Sequence, residues 1–391
     1  MLRGAVSSPL YLSRLDGVRA LAALSVLAMH VVMLWAPNGS WPTWSLDGLA
    51  IGLMSYGWTG VIVFFVLSGW LISLPFWRAA VGGEAENEAE PAAGYGWRRL
   101  GRVLPLFWAQ CLLIWLPLLI VTALPGIEPN ARAEQVVWQI LLLFQSVPGA
   151  PGPWLSVWWT LPVELAFYLL LPLLFRLPPR WRWPTILLLA LTGPLLRMAM
   201  AGGLLPWAWS RVLIHQLPGR IDLFLLGVAA AGLWVQFAPQ WARLSAALWR
   251  WLGVLGLWGL LLLSLALGVV SPAAIPRSLP LAAWQTAFAL LVVVWIIGCA
   301  QASRSESAGL TGAPALRWIG RISYSVYLWH LPLLAAMSPW FKPWIDAPWK
   351  LLPAAVLAPV PVLAVSAVSF YSIERPARQW CKRRARRQTF G

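Results

Sequence analysis

Stretches long and apolar enough to cross a bilayer recur along this chain, and they constrain its fold more than anything else in it. They lie at approximately 16 to 36, 53 to 77, 103 to 124, 158 to 177, 184 to 201, 211 to 235, 251 to 270, 281 to 300, 319 to 338 and 351 to 371. Hydrocarbon offers no partner to a backbone N–H or C=O, so segments of this length must satisfy their own polar groups, which predicts helices. One more apolar piece, "VVWQILLLF" at 136 to 144, is too short for a span and reads as re-entrant or interfacial. With 60% of its 391 residues hydrophobic and only 11% charged, the chain is not built for water as its main solvent. The expected fold is all-α and integral to the membrane: a ten-transmembrane-helix bundle with cytoplasmic N- and C-termini.

The formal net charge is +16. Its basic residues stand in short groups between apolar runs, with no basic stripe interleaved with aromatics, which argues against nucleic acid as a partner. They read instead as topology signals. Ten spans put Arg78, Arg98, Arg99, Arg102, Arg176, Arg180, Arg182, Arg243, Arg250, Arg304, Arg317, Arg321 and the tail "RPARQWCKRRARR" on the inner side. The outer side keeps little beyond Arg132, Arg277, Lys342 and Lys350. An eleventh span would reverse everything downstream and break this positive-inside bias. The chain therefore divides into a membrane domain of ten spans, 1–375, and a basic cytoplasmic tail, 376–391. No cleavable signal peptide and no soluble domain after the last span are expected. Cys111 and Cys299 fall in apolar runs and Cys381 in the tail, so neither a disulfide framework nor a CxxC metal site is expected.

Ionisable groups inside a span are costly, and each asks for a partner or a task. The segment "LDGVRALAALSVLAMHV", 15 to 31, carries Asp16, Arg19 and His30. Eleven positions separate Arg19 from His30, close to three whole turns, so both point the same way with a rise of roughly 16 Å between them. Imidazole suits proton transfer near neutral pH, though a hydrogen bond to a neighbouring helix would also explain it. In "GWRRLGRVLP", 96 to 105, Arg98, Arg99 and Arg102 lie on adjoining turns at a span entrance. Guanidinium forks there suit a polyanionic ligand or anchor a helix to anionic lipid. "WWTLPVELAFYLLLP", 158 to 172, sets Glu164 one turn before Tyr168 on the same face. Glu164 could hold a hydroxylated acceptor, a partner arginine or a structural ion pair. Arg220 and Asp222 stand in "GRIDLFLLG", and His330 lies in "RISYSVYLWHLPLL" among Tyr324, Tyr327 and Trp329. His215 reads as interfacial. Ser68, beside Gly69 in "FFVLSGWLIS", lacks a nucleophile elbow and reads as close helix packing.

In their order along the chain these segments resemble the acyltransferase 3 family of integral membrane acyltransferases. The likeness covers nearly the whole sequence: "LDGVRALAALSVLAMH", "GVIVFFVLSGWLIS", "RRLGRVLP", "WTLPVELAFYLLLPLL", "RISYSVYLWHLPLL" and "SIERPAR". It implies transfer of an acyl group, commonly acetyl, from acyl-CoA to a hydroxyl of a carbohydrate, glycolipid or secreted metabolite. It gives Arg19 and His30 the places of the family's essential first-helix pair, and Arg98, Arg99 and Arg102 those of its cytoplasmic arginine motif, as cofactor-binding residues. Glu164 joins the catalytic set, and Tyr168 and His330 are expected at the substrate. The fourth-span motif departs from the family's usual acidic pair, leaving Glu164 as its one carboxylate. The esterase-like domain that many members append is not expected here, which points away from peptidoglycan. Acyl-CoA, above all acetyl-CoA, is the expected donor and no metal is expected. A carbohydrate or lipid-linked glycan acceptor and membrane lipid complete the partners, in the bacterial cytoplasmic membrane. The alternative is a polytopic transporter of a polar or anionic substrate.

Overall fold

A computed structural model describes residues 12–36, 46–82, 92–122, 133–241, 243–268, 284–302 and 309–390. Arg132, Arg277, Arg304, most of the acidic stretch at 82 to 96 and the tips of the third, seventh and eighth apolar runs lie outside them. Within them the chain is helical and holds no strand. In chain order the helices are α1 Ser13–Trp35, α2 Leu46–Ser55, α3 Gly60–Gly82, α4 Ala92–Thr122, α5 Ala133–Ile140, α6 Thr160–Arg176, α7 Pro179–Ala201, α8 Trp207–His215 and α9 Ile221–Gln236. There follow α10 Ala238–Trp241, α11 Ala246–Gly268, α12 Trp284–Ala302, α13 Pro314–Arg321, α14 Ser323–Trp344, α15 Leu351–Leu357, α16 Pro359–Ser369 and α17 Arg375–Phe390. The protein is a multi-pass integral membrane protein.

Among the described residues, seven helical stretches are long and apolar enough to cross a bilayer: Ser13–Trp35, Gly48–Val81, Ser156–Arg176, Pro179–Ala201, Ala246–Ala266, Trp284–Gln301 and Pro348–Ala385. Helices α4 and α14 cover the third and ninth apolar runs without joining that set. The first turns of α14 carry Ser323, Tyr324, Ser325 and Tyr327, and Pro332, Pro339 and Pro343 follow, which lowers its mean hydropathy. The short apolar piece at 136 to 144 holds only the eight-residue α5, about 12 Å long and unable to span hydrocarbon.

The sixth run, expected as one span over 211 to 235, is not one helix. It breaks into α8 and α9 around a 3₁₀ turn at Leu217–Gly219, where Pro218 brings no N–H and Gly219 no side chain. Irregular backbone survives at membrane depth only where protein supplies its partners. Here Arg197 Nη1 donates to the Gly219 carbonyl at 2.6 Å and Arg220 Nε to that of Ile214 at 3.0 Å. Arg197 is itself held by a two-pronged ion pair with Asp222, Nη1 to Oδ1 at 3.1 Å and Nη2 to Oδ2 at 2.7 Å. The Thr286 hydroxyl donates to Asp222 Oδ2 at 2.6 Å and accepts from Arg197 Nη2 at 2.7 Å, so one buried polar knot ties α7, α9 and α12.

Small residues set the closest helix approach. A Cβ on Gly69 would fall 2.0 Å from the Phe224 carbonyl oxygen, and one on Gly227 would fall 2.1 Å from that of Val66. Helices α3 and α9 thus cross backbone to backbone, as the Ser68–Gly69 motif suggested. The last helix continues from α16 through a π-helical turn, Phe370–Glu374. It packs on α4, with Trp380 edge-on to Trp97 and Cys381 seated over Gly101.

Candidate active site

Five helices converge on one cavity. Its wall takes Arg19 from α1, Val61, Phe64, Phe65 and Ser68 from α3, and Arg102 from α4. Thr160, Leu161 and Glu164 of α6 and Ser323, Tyr324 and Tyr327 of α14 complete it. Tyr324 fastens α14 to α4 by donating to the Val103 carbonyl at 2.6 Å. Two guanidiniums and one carboxylate therefore face one space between the helices, where low dielectric magnifies each charge. The predicted i, i+4 relation on α6 is realised: Tyr168 donates to Glu164 Oε1, and Ser68 approaches the same oxygen at 3.4 Å. Tyr168 itself is not on the wall and orients the carboxylate from behind it. Ser68 thus reaches the site as well as serving the α3–α9 packing.

His30 and His330, 300 residues apart, meet in the interior with ring centroids 4.8 Å apart. His30 Nδ1 lies 2.9 Å from the Val26 carbonyl oxygen and His330 Nδ1 lies 3.2 Å from that of Val326. A carbonyl only accepts, so both Nδ1 atoms carry the proton, an assignment made from the network. His330 Nε2, 3.2 Å from His30 Nδ1, then accepts from it. That leaves the lone pair of His30 on Nε2, the atom a base would use. Neither imidazole is part of the cavity lining. Tyr327 is, and its ring lies 5.8 Å from that of His330. Its hydroxyl donates to the Val157 carbonyl at 2.8 Å and accepts from Thr160 at 3.1 Å. The structure thus sets His330 against His30 rather than on the wall where a bound substrate would touch it.

A second, wider cavity opens beside the first, lined by Asp16, Arg19, Arg321, Phe370, Tyr371, Arg375, Arg378, Gln379 and Lys382. Arg19 lines both. Its nearest carboxylate is Asp16, with Nη1 3.8 Å from Oδ1. Glu374, buried at the π-turn, accepts from Ser325 at 2.8 Å and from Arg378 Nη1 at 3.2 Å, which pins α17 to α14. Of the predicted arginine cluster, Arg102 reaches the inner cavity, whereas Arg98 and Arg99 line neither space and Arg99 stacks 5.4 Å over the Tyr95 ring. Arg99 points about 100° away from Arg98, whereas Arg98 shares the Arg102 face but lies one turn, about 6 Å, nearer the start of α4. Arg321, Arg375, Arg378 and Lys382 escaped the sequence reading of the site. Their charge was absorbed into topology, although "SIERPAR" carried two of them. Among the described residues no three His, Cys, Asp or Glu side chains gather as a metal would need.

A family model described as an acyltransferase domain matches residues 12–371. The chain belongs to the acyltransferase 3 family. It is 26% identical to the peptidoglycan O-acetyltransferase OatA of Listeria monocytogenes, over 94% of this chain and 56% of that one. It is 26% identical to the putative peptidoglycan O-acetyltransferase YrhL of Bacillus subtilis, over 94% and 55%, and to the O-acetyltransferase OatA of Staphylococcus aureus, over 85% and 52%. The chain spans about half the length of these curated relatives. No solved structure matches it. Two of the relatives are named for peptidoglycan, so the sequence-based turn away from that polymer gains nothing from its kin, and the transporter alternative finds no support among them.

Proposed function

We propose that this acyltransferase 3 protein transfers an acyl group, acetyl in the simplest case, from acyl-CoA to a hydroxyl of a carbohydrate or lipid-linked glycan. Peptidoglycan is among the acceptors its relatives' names suggest. The observation that carries the reading is the pair of cavities that share Arg19, one wide and cationic, the other walled by Tyr327 next to the histidine pair. A donor with an anionic nucleotide and a narrow thioester-bearing arm matches that sequence of spaces. In the proposed chemistry His30 Nε2 takes the proton of the acceptor hydroxyl as its oxygen attacks the thioester carbonyl. The C–O bond forms, the C–S bond breaks, and the departing thiolate takes the proton back from the imidazolium. Arg19 offsets the negative charge that develops on the carbonyl oxygen, and Glu164, braced by Tyr168, orients the incoming hydroxyl. The test is calorimetric titration of detergent-purified protein with acetyl-CoA, followed by transfer of radiolabelled acetyl to peptidoglycan fragments and other glycans. Saturable binding and labelled ester are expected; protein that binds no acetyl-CoA would remove this donor.

The proposed topology has ten spans with both termini in the cytoplasm, so the wide cavity faces the cytoplasmic acyl-CoA pool. In a background without Cys111, Cys299 and Cys381, a cysteine at Asp346 should react with an impermeant maleimide added to intact cells. One at Gln379 should react only after permeabilisation. The opposite pattern would invert the protein and cut the cavity off from cytoplasmic donors.

A further inference from the structure

We propose that the cavity between α13, the π-turn and α17 is the phosphate-binding site of the donor, and that Arg321, Arg375 and Lys382 read the phosphates of its nucleotide. The inference rests on the acyl-CoA reading above and assigns the phosphates to residues outside the arginine motif of α4. Five cationic side chains line this space against the one carboxylate of Asp16. Two of the five are already engaged: Arg378 with Glu374 at 3.2 Å, and Arg19 near Asp16 at 3.8 Å. Among the described residues, Arg321 and Lys382 have no hydrogen-bond or ion-pair partner, and Arg375 has only the face of the Tyr371 ring at 5.8 Å. Cations gathered around a concave space without matching carboxylates repel one another, and an arriving polyanion relieves that repulsion.

The chemistry of the set points to phosphate rather than to a carboxylate or sugar. Arginine forks pair two N–H groups with phosphate oxygens, and a lysine supplies a mobile point charge. The Tyr371 and Phe370 rings on the same wall offer an apolar surface for a purine. Position favours the donor as well. Arg19 closes this cavity and opens the inner one, and the face of α1 that carries it leads to His30 roughly 16 Å further along. A nucleotide held among Arg321, Arg375 and Lys382 leaves its pantetheine arm to run past Arg19 toward the imidazole. Arg98 and Arg99 line neither cavity.

An anionic lipid headgroup shares the phosphate chemistry, and the test separates the two sources. Arg321→Ala/Lys382→Ala, charge-keeping Arg321→Lys and the distant control Arg250→Ala are purified in detergent and in nanodiscs of phosphatidylcholine with or without phosphatidylglycerol. CoA, 3′-dephospho-CoA and pantetheine are titrated into each. In wild-type protein CoA is expected to bind more tightly than 3′-dephospho-CoA, with affinity falling as salt rises. The double variant should bind CoA about tenfold more weakly, about 1.4 kcal/mol, and pantetheine as before, with Arg321→Lys intermediate and Arg250→Ala unchanged. Wild-type affinity for CoA in the double variant would overturn this site while leaving the acyl-CoA reading intact. Loss of retained phosphatidylglycerol alone, seen by native mass spectrometry, would assign the cavity to lipid and overturn it too. Wild-type protein that binds no CoA would defeat the underlying reading itself.

Discussion

His30→Ala is expected to lower acyl transfer by about a hundred- to ten-thousand-fold while acetyl-CoA binding stays close to that of wild type. That range is the contribution of a positioned general base. The expectation follows from the tautomer: both Nδ1 protons are committed to backbone carbonyls, so the His30 lone pair lies on Nε2 and no hydrogen bond within the described residues occupies it. Binding survives because neither imidazole lines the cationic cavity that would hold the nucleotide. His330→Gln offers a companion measurement, since an amide oxygen can still accept from His30 Nδ1. Its turnover should exceed that of His330→Leu, which leaves that N–H with the Val26 carbonyl alone. Rapid transfer by His30→Ala, measured as labelled ester per minute, would return the histidine to the part of a satisfied polar residue between helices.

Much of this architecture was legible because hydrocarbon leaves few options. Among the described residues the apolar runs other than the sixth are helical almost throughout, since length and composition alone force backbone groups to pair locally. The sixth run failed for a local reason. Pro218 and Gly219 sit among apolar residues, so hydropathy passed over a break whose repair comes from Arg197, on another helix. The site was legible along helices and opaque across them. The shared face of Glu164 and Tyr168 is a matter of 3.6 residues per turn, and the structure realises it. The contact of His30 with His330 depends on how α1 meets α14, which no periodicity encodes. The basic residues around α17 were visible as charges, but their purpose was not. Positive charge beside a span serves orientation everywhere, and only the fold shows that part of it lines a cavity beside α1.

Asp222→Ala is expected to destabilise the protein by about 3 to 5 kcal/mol, the cost of stranding one member of a buried ion pair. Arg197 would keep its charge at 4% exposure without the carboxylate that neutralises it. The break between α8 and α9 would loosen with it, because the Arg197 that satisfies the Gly219 carbonyl is held in place by Asp222. The double variant Arg197→Met/Asp222→Leu separates the two contributions. It removes the desolvated charges together, so it should recover a good part of the loss, as apolar replacements of buried pairs often do. It cannot recover all of it, since the Gly219 carbonyl then lacks its donor, worth about 1 to 3 kcal/mol when buried. Unfolding in mixed micelles across a range of denaturing detergent gives all three stabilities on one scale. A single variant as stable as wild type would mean that the knot is not what holds α7, α9 and α12 together. A double variant no better than the single would mean that the carbonyl at the break, rather than the charge, dominates.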